Sequence, residues 1–357
     1  RPNLQGTSTP NTLADVAARA GVSRATASLV LRESPLVAAA TRARVLEAGK
    51  ALGYVYHRAA ANLRGRRTMA IGLLVCEITN PFYSEFTAAI DEFLDTEGYV
   101  AFLANTLESF DRQTRFLQRM REQGVDGVIF CPAVGTPAGV LRELRAWGLP
   151  AVQALRHASP SFGDYVGVDY ELGVVQAAEH LIRLGHRRIA FVGGERAYSA
   201  AAERHAGFTA TLRRHGLTPD LMVKTPLSRR AGSDAVAALL ERADPPTAAI
   251  CFNDVVAFGM MAGLQRRGLW PGRDFAVIGM DDVPEAAVAH PALTTVATSA
   301  RQIGQEAARL LLRRIAAPAG ASERIILPPR LIVRESCGAS DTGAPGARVL
   351  PFDRVPA

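Results

Sequence analysis

Cysteine is scarce in this 357-residue chain. There are four, Cys76, Cys131, Cys251 and Cys337, none in a CxxC pair. That spacing excludes a disulfide framework and suits reduced thiols in a cytoplasmic protein. The seven histidines show no ligand-like clustering, so neither a metal nor another cofactor is expected. No run of about 18 uncharged apolar residues exists, so no membrane partner is expected. The first twenty residues include Asn3, Gln5, Asn11, Asp15 and Arg19 and lack the apolar stretch of a secretory signal. Arg1 is not a start methionine, so a few further residues are expected upstream. HExxH, GxSxG and P-loop patterns are all missing, which argues against an enzyme. Gly193-Gly194 is not GxGxxG and reads as a plain strand-to-helix turn. Cys76, Cys131 and Cys251 fall in apolar runs and read as core rather than nucleophiles.

What is present is unevenly placed. The composition, 48% hydrophobic and 21% charged, is that of a globular chain of two or three domains. Residues 1–67 hold eleven Lys/Arg against three acids, so this segment carries +8 and the other 290 residues −1. A small basic module beside a neutral body points to a polyanion; the alternative is a merely solvated basic surface.

Residues 1–11 are polar and are expected to be disordered. Residues 12–54 read as three short helices. Thr12 caps the first, Asp15 completes a capping box, and Leu13–Ala20 stops at Gly21. Ser23 caps a second helix running to about Arg32, and a third covers about Ala39–Leu52 before Gly53. From 69 to 335 strands and helices alternate. Ten apolar runs, at 69–76, 99–104, 127–131, 150–155, 164–168, 188–193, 248–252, 275–279, 294–298 and 324–328, are continuous rather than alternating. They therefore read as parallel strands covered on both faces. Ten are too many for one sheet, so two similar lobes are expected, with ligand at the carboxyl ends of the strands in the cleft between them. The tail 338–357 lacks periodicity and leucine heptads and is expected to be disordered.

Within 12–32, Ala17, Gly21, Ala27 and Val30 fall at helix-turn-helix spacings. Val16, Val22, Ala27 and Val30 or Leu31 form the inner face. Ser23, Arg24, Ala25, Ser28 and Leu29 are expected outward, with Arg24 the one side chain able to fork onto a guanine in the major groove. Ser23, Thr26 and Ser28 can bond phosphates or base edges.

The stretch TLADVAARAGVSRATASLVLRESPLVAAATRARVLEAGKALGY (12–54) closely resembles the headpiece of the LacI–GalR family of bacterial repressors. The likeness continues through HRAAANLRGRRTMAIGLLVCEITNPFYSEF, LGHRRIAFVGG, CFNDVVAFG, IGMDD and PALTTV. It implies an N-terminal all-α helix-turn-helix headpiece and an α/β two-lobed periplasmic-binding-protein-like effector domain. Such a protein binds a pseudo-palindromic double-stranded operator as a homodimer and answers to a sugar-like effector. The implied boundaries are 12–56 for the headpiece, 57–67 for a hinge and 68–337 for the effector domain. Lobe one would take ~68–165 and ~297–322, and lobe two ~166–296 and ~323–337, with three crossovers.

By position, the resemblance puts DNA contacts on Thr12, Ser23, Arg24, Ala25, Thr26, Ser28, Leu29, Thr41, Tyr54 and His57. Leu29 stands where many members carry a base-reading arginine, and Arg32 where asparagine is usual. Leu29 would touch a thymine methyl or no base at all. In the hinge, Leu63 matches the residue that wedges into a minor-groove step and Ala60 its small neighbour. Arg58, Arg64, Arg66 and Arg67 are available for phosphates. An ordinary basic linker is the alternative.

The resemblance also implies effector contacts at Phe82, Tyr83, Arg204, Asn253 and Asp281, and more weakly at Asp169 and Leu227. For Asp281-Asp282 a helix cap or a surface turn stays open. For Asn253-Asp254 capping is an equal reading, and for Arg204 an internal ion pair. The rival functions are a sugar-binding transport protein and a sugar-metabolising α/β enzyme with an appended helical domain.

Overall fold

The structure, a computed structural model, describes residues 11–31, 34–54, 67–194 and 198–339. Arg32, His57, Ala60, Leu63, nearly all of the expected hinge and most of both expected tails lie outside the described residues. The chain divides into two compact units, 1–68 and 69–357.

The first unit holds α1 (Leu13–Ala20), α2 (Arg24–Leu31) and α3 (Ala39–Ala51). Thr12 and Asp15 form the capping box, and Gly21 ends α1 with φ +64°, a left-handed conformation that costs glycine little. Val16, Ala17 and Ala20 of α1 pack on Ala27 and Val30 of α2 and on Val45 and Ala48 of α3. The small residues let three short helices close on one core.

The second unit is α/β and two-lobed. Lobe one contains β1 (Ala70–Val75), α4 (Pro81–Thr96), β2 (Val100–Asn105), α5 (Phe110–Glu122), β3 (Gly127–Phe130), α6 (Gly139–Ala146), β4 (Ala151–Ala154) and β5 (Asp164–Val168). Lobe two contains α7 (Tyr170–Arg183), β6 (Ile189–Val192), α8 (Ser199–Arg214), β7 (Met222–Val223), α9 (Arg229–Leu240), β8 (Ala248–Cys251), α10 (Asp254–Gln265), β9 (Ala276–Asp281), α11 (Pro284–Val288) and β10 (Thr294–Ala297). The chain then returns to lobe one through α12 (Ala300–Ala316) and β11 (Arg324–Leu327), and crosses last to lobe two as β12 (Arg330–Ile332).

The sheet orders are β2-β1-β3-β4-β5-β11 and β7-β6-β8-β9-β10-β12. All neighbours are parallel except β12 on β10. Each sheet reverses order beside its first strand, and the loops at that reversal form the ligand crevice of open α/β sheets. All four cysteines are free and buried.

Three expectations are corrected. β5 lies wholly in lobe one, so the first crossover follows Val168 rather than 165. The run 324–328 forms β11 beside β5, not a lobe-two strand, so the last crossover falls at 328–329. The lobe-two strand is the short β12, which the sequence hides because its side chains are exposed or only half-buried.

One ion pair explains the placement of β11. Arg314 of α12 forks onto Asp164 of β5 at 2.7 and 2.9 Å, and the Glu323 N–H donates to the same carboxylate at 2.8 Å. These bonds dock the start of β11 against β5.

Candidate functional sites

In the headpiece, Ser23 caps α2: its Oγ accepts from the Thr26 N–H at 3.1 Å and lies 2.9 Å from Thr26 Oγ1. Arg24, Ala25 and Leu29 are exposed along one side of α2, and Thr26 is half-buried. Ser28 is buried, contrary to the outward placement expected. It sits at the border of the arc formed by Ala27 and Val30, and a side chain ending one atom past Cβ does not clear its neighbours. Thr12 is exposed, with its hydroxyl donating to Asp15 Oδ2 at 2.7 Å. The Thr12 backbone and hydroxyl donors hold the Asp15 carboxyl below its usual range. Thr41 and Tyr54 are half-buried, Tyr54 against the headpiece core.

In the effector domain a partly open cavity, with about 70 Å³ accessible to water-sized molecules, lies at the carboxyl ends of both sheets. Of the seven sequence candidates, Phe82, Tyr83, Arg204, Leu227, Asn253 and Asp281 line it. Asp169 does not; it caps α7, accepting from the Leu172 N–H at 2.8 Å. Glu77, Asn80, Glu108, Leu155, Arg156, Tyr170, Tyr198, Ala200 and Phe252 complete the wall. Each follows a strand end, and that rule alone would have flagged Glu108 after β2 and Arg156 after β4.

Arg204 is buried. Its guanidinium carbon lies 3.8 Å from the centre of the Tyr170 ring and 4.3 Å from that of Phe252. Nη1 donates to the Ala200 carbonyl at 3.0 Å and Nε to Met280 Sδ at 3.1 Å. The aromatic faces stabilise the charge where water is absent. The internal ion-pair reading for Arg204 is thus replaced by an aromatic sandwich. Phe252 reaches that position because Gly193 and Gly194 leave room: a Cβ would fall 2.6 and 2.4 Å from Phe252 atoms. Both glycines also have positive φ, +116° and +70°.

Asp281 ends β9 with φ +128°, a conformation that side chains rarely adopt. Burial raises its carboxyl pKa well above the usual range, the nearby Asp254 adds to the rise, and Arg204 opposes it. Asp282, at φ +57°, pairs with Arg334 at 2.7 Å. Neither aspartate caps α11, whose N-cap is Val283. Asn253 caps α10, with Oδ1 accepting from the Val256 N–H at 3.0 Å, while its side chain also forms cavity wall. Asp254 turns inward, accepting from Thr295 Oγ1 at 2.5 Å and the Val283 N–H at 3.0 Å.

Across the cavity, Arg156 forks onto Glu108 at 2.7 and 2.9 Å and stacks 4.0 Å from the centre of the Tyr198 ring. Beside it, His157 lies 3.5 Å from Glu203, and the His157 N–H donates to Ser199 Oγ at 2.9 Å. Arg156 and His157 belong to lobe one; Tyr198, Ser199 and Glu203 belong to lobe two. These contacts bridge the mouth.

The arrangement combines aromatic faces with fixed donors and acceptors in a cleft between two lobes, which suits a small polyhydroxylated ring. Residues 12–56 match the bacterial regulatory proteins of the lacI family, and residues 178–337 a periplasmic binding protein-like domain. The chain is 31% identical over 335 residues to the HTH-type transcriptional regulator DegA of Bacillus subtilis (strain 168), covering 93% of this chain and 99% of that protein. It belongs to the lacI family. Another family member, the maltose regulon regulatory protein MalI of Escherichia coli (strain K12), is 32% identical over 340 residues, covering 90% of this chain and 97% of its own. Among solved lacI-family structures, the lac repressor dimer bound to operator and the anti-inducer ONPF has TM-score 0.82 at 28% identity, covering 93% of this chain and all of that one. The transcriptional regulator CelR in complex with cellobiose has TM-score 0.69 at 32% identity, covering 91% and 99%.

His186 follows the end of α7, away from the cavity wall residues. Its Nδ1 is 2.8 Å from Thr247 Oγ1, and burial, with His180 and Arg187 nearby, lowers its pKa to about 4. Gly185, at φ +95°, follows the C-terminus of α7.

Proposed function

We propose that the chain is a cytoplasmic transcriptional repressor, not an enzyme, that binds a pseudo-palindromic operator as a homodimer and is released or engaged by a small sugar-like effector. The observation that carries this reading is one chain holding both a lacI-family headpiece, with Arg24, Ala25 and Leu29 exposed on α2, and an aromatic-lined cavity between two sheets. Arg24 reads a guanine and Leu29 a thymine methyl or no base. Thr12, Ser23, Thr26, Thr41, Tyr54 and His57 hold phosphates or base edges, and Leu63 with Ala60 opens a minor-groove step. Phe82, Tyr83, Arg204, Leu227, Asn253 and Asp281 contact the effector.

The dimer reading has support in β2. This edge strand leaves Val100, Phe102 and Leu103 61%, 48% and 49% exposed, an apolar row that a second copy would cover. Effector binding changes how the lobes sit on each other, and through them the two headpieces of a dimer.

The test has two stages. Purified protein is used to select duplexes from a random DNA pool, which should return a two-fold symmetric site. A thermal-shift screen of metabolites follows, in which ligand at about 100 times its Kd adds about 2.7 kcal/mol. A pool with no enriched symmetric site would overturn the repressor reading. Turnover of any candidate sugar would favour the enzyme alternative.

A further inference from the structure

The charges on the cavity wall narrow the chemistry of its ligand. Among the described residues the wall carries three acids, Glu77, Glu108 and Asp281, and two guanidiniums, Arg156 and Arg204. With Asp281 ionised the wall is negative, and with Asp281 protonated it is neutral; in neither state does positive charge exceed negative. The neighbouring Asp282–Arg334 pair sets opposite charges together and adds no free cation.

The two arginines are also occupied. Both terminal nitrogens of Arg156 donate to Glu108. Arg204 commits Nε and one Nη1 hydrogen within the protein and sets its charge against the Tyr170 and Phe252 rings. A phosphate dianion needs an unpaired cation or a cluster of free donors. A neutral hydroxyl needs only a donor or an acceptor, and Arg204 and Asp281 each supply one on the wall.

We propose that the cavity selects an uncharged polyhydroxylated ligand against its phosphate esters, and that Glu108 sets this preference by occupying Arg156. The inference rests on the cavity being the effector site. Glu108 is the specificity-determining residue, acting through Arg156. It is 35% exposed at the side chain against 7% for Arg156, so the acid can be altered with little disturbance of the packing around the base.

The experiment uses full-length protein and calorimetric titration at pH 7.5. The probes are glucose, ribose, trehalose, maltose and cellobiose, with glucose 6-phosphate, ribose 5-phosphate and trehalose 6-phosphate as charged counterparts. At least one neutral sugar should bind, and any ester should bind at least tenfold more weakly than its parent. In Glu108→Gln the amide oxygen still accepts from Arg156, but the countercharge is gone, and the penalty against the ester should shrink at least tenfold. Glu92→Gln makes the same charge change at the surface pair with Arg301 and should leave the ratio unchanged. A wild-type protein that binds an ester as tightly as its parent would overturn the inference while leaving the sugar-effector reading intact. An equal ratio shift in Glu108→Gln and Glu92→Gln would overturn the role of Glu108. If no sugar of either kind binds while symmetric operator is still recognised, both the inference and the sugar-effector reading fall. Should Glu108→Gln not fold, the wild-type panel alone decides the charge preference. The double variant Glu108→Gln, Arg156→Gln then tests the pair: with no freed cation it should retain the preference for the neutral sugar, and losing it would overturn the proposal.

Discussion

Asp254 is a fully buried carboxylate that holds the turn presenting Asp281 to the cavity. Its two oxygens accept from Thr295 and Val283, and burial, against those two donors, raises its pKa to about 7 from an ordinary 3.8. Between those two values the folded protein holds a proton that the unfolded chain has lost. For a carboxyl raised in this way, the favourable contribution is complete below about pH 4 and disappears as pH rises through 7. Each unit in that window removes about 1.4 kcal/mol. Asp254→Asn does not titrate, and it can keep both bonds, with its oxygen accepting from the Val283 N–H and its amide donating to Thr295. Relative to wild type, the variant should therefore gain about 2–3 kcal/mol of stability between pH 5 and 8. Asp281, which is raised partly by Asp254, is relieved in the variant and moves the result in the same direction. Urea melts at pH 5, 6, 7 and 8 followed by tryptophan fluorescence give the measurement. Both tryptophans, Trp147 and Trp270, lie in the effector domain, so the headpiece does not contribute to the signal. Parallel stability–pH curves for the two proteins would refute the reasoning. Asp254→Ala, by contrast, leaves the Val283 N–H and the Thr295 hydroxyl buried without this acceptor. It should cost about 1–3 kcal/mol for each at pH 5, and because alanine does not titrate either, the total cost relative to wild type should shrink by about 2–3 kcal/mol by pH 8.

Asp164→Ala removes the partner of Arg314, whose side chain is 12% exposed, and should destabilise the effector domain by about 3–5 kcal/mol in the same urea assay. Arg24→Ala should weaken the selected operator by about 1–3 kcal/mol and relax preference at one base pair, measured by competition on single-site variants. An equal loss on all sequences would make Arg24 a phosphate contact. Phe102→Glu places a charge on the apolar edge of β2 and should shift sedimentation from dimer to monomer at micromolar concentration, with far-ultraviolet dichroism unchanged.

Local chemistry carried the headpiece. Thr12 and Gly21 fix α1 to the residue because a capping box and a left-handed glycine act within one turn. The same locality hid Ser28, since its burial depends on which side of α2 meets α1 and α3. In the effector domain the ten apolar runs all became strands: most are buried on both faces, and the edge strands β2 and β11 keep the apolar run although their side chains are largely exposed. Their allocation between lobes is a different matter. Nothing in DYVGV or RIILP says which sheet it joins. The Asp164–Arg314 pair does, and its members stand 150 residues apart.

The cavity divides along the same line. Phe82, Tyr83, Asn253 and Asp281 were legible because strand ends and family positions mark them. Glu108 and Arg156 look like any two charged residues until the fold brings them within 2.7 Å across 48 positions. Arg204 was legible as a site but not as a sandwich, because Tyr170 and Phe252 reach it from separate strand ends, and Phe252 does so only through the space left by Gly193 and Gly194. What a charged side chain can offer a ligand depends on the groups already holding it. Residue type alone therefore marks where a cavity-facing group stands, and its partners decide what it has left to offer.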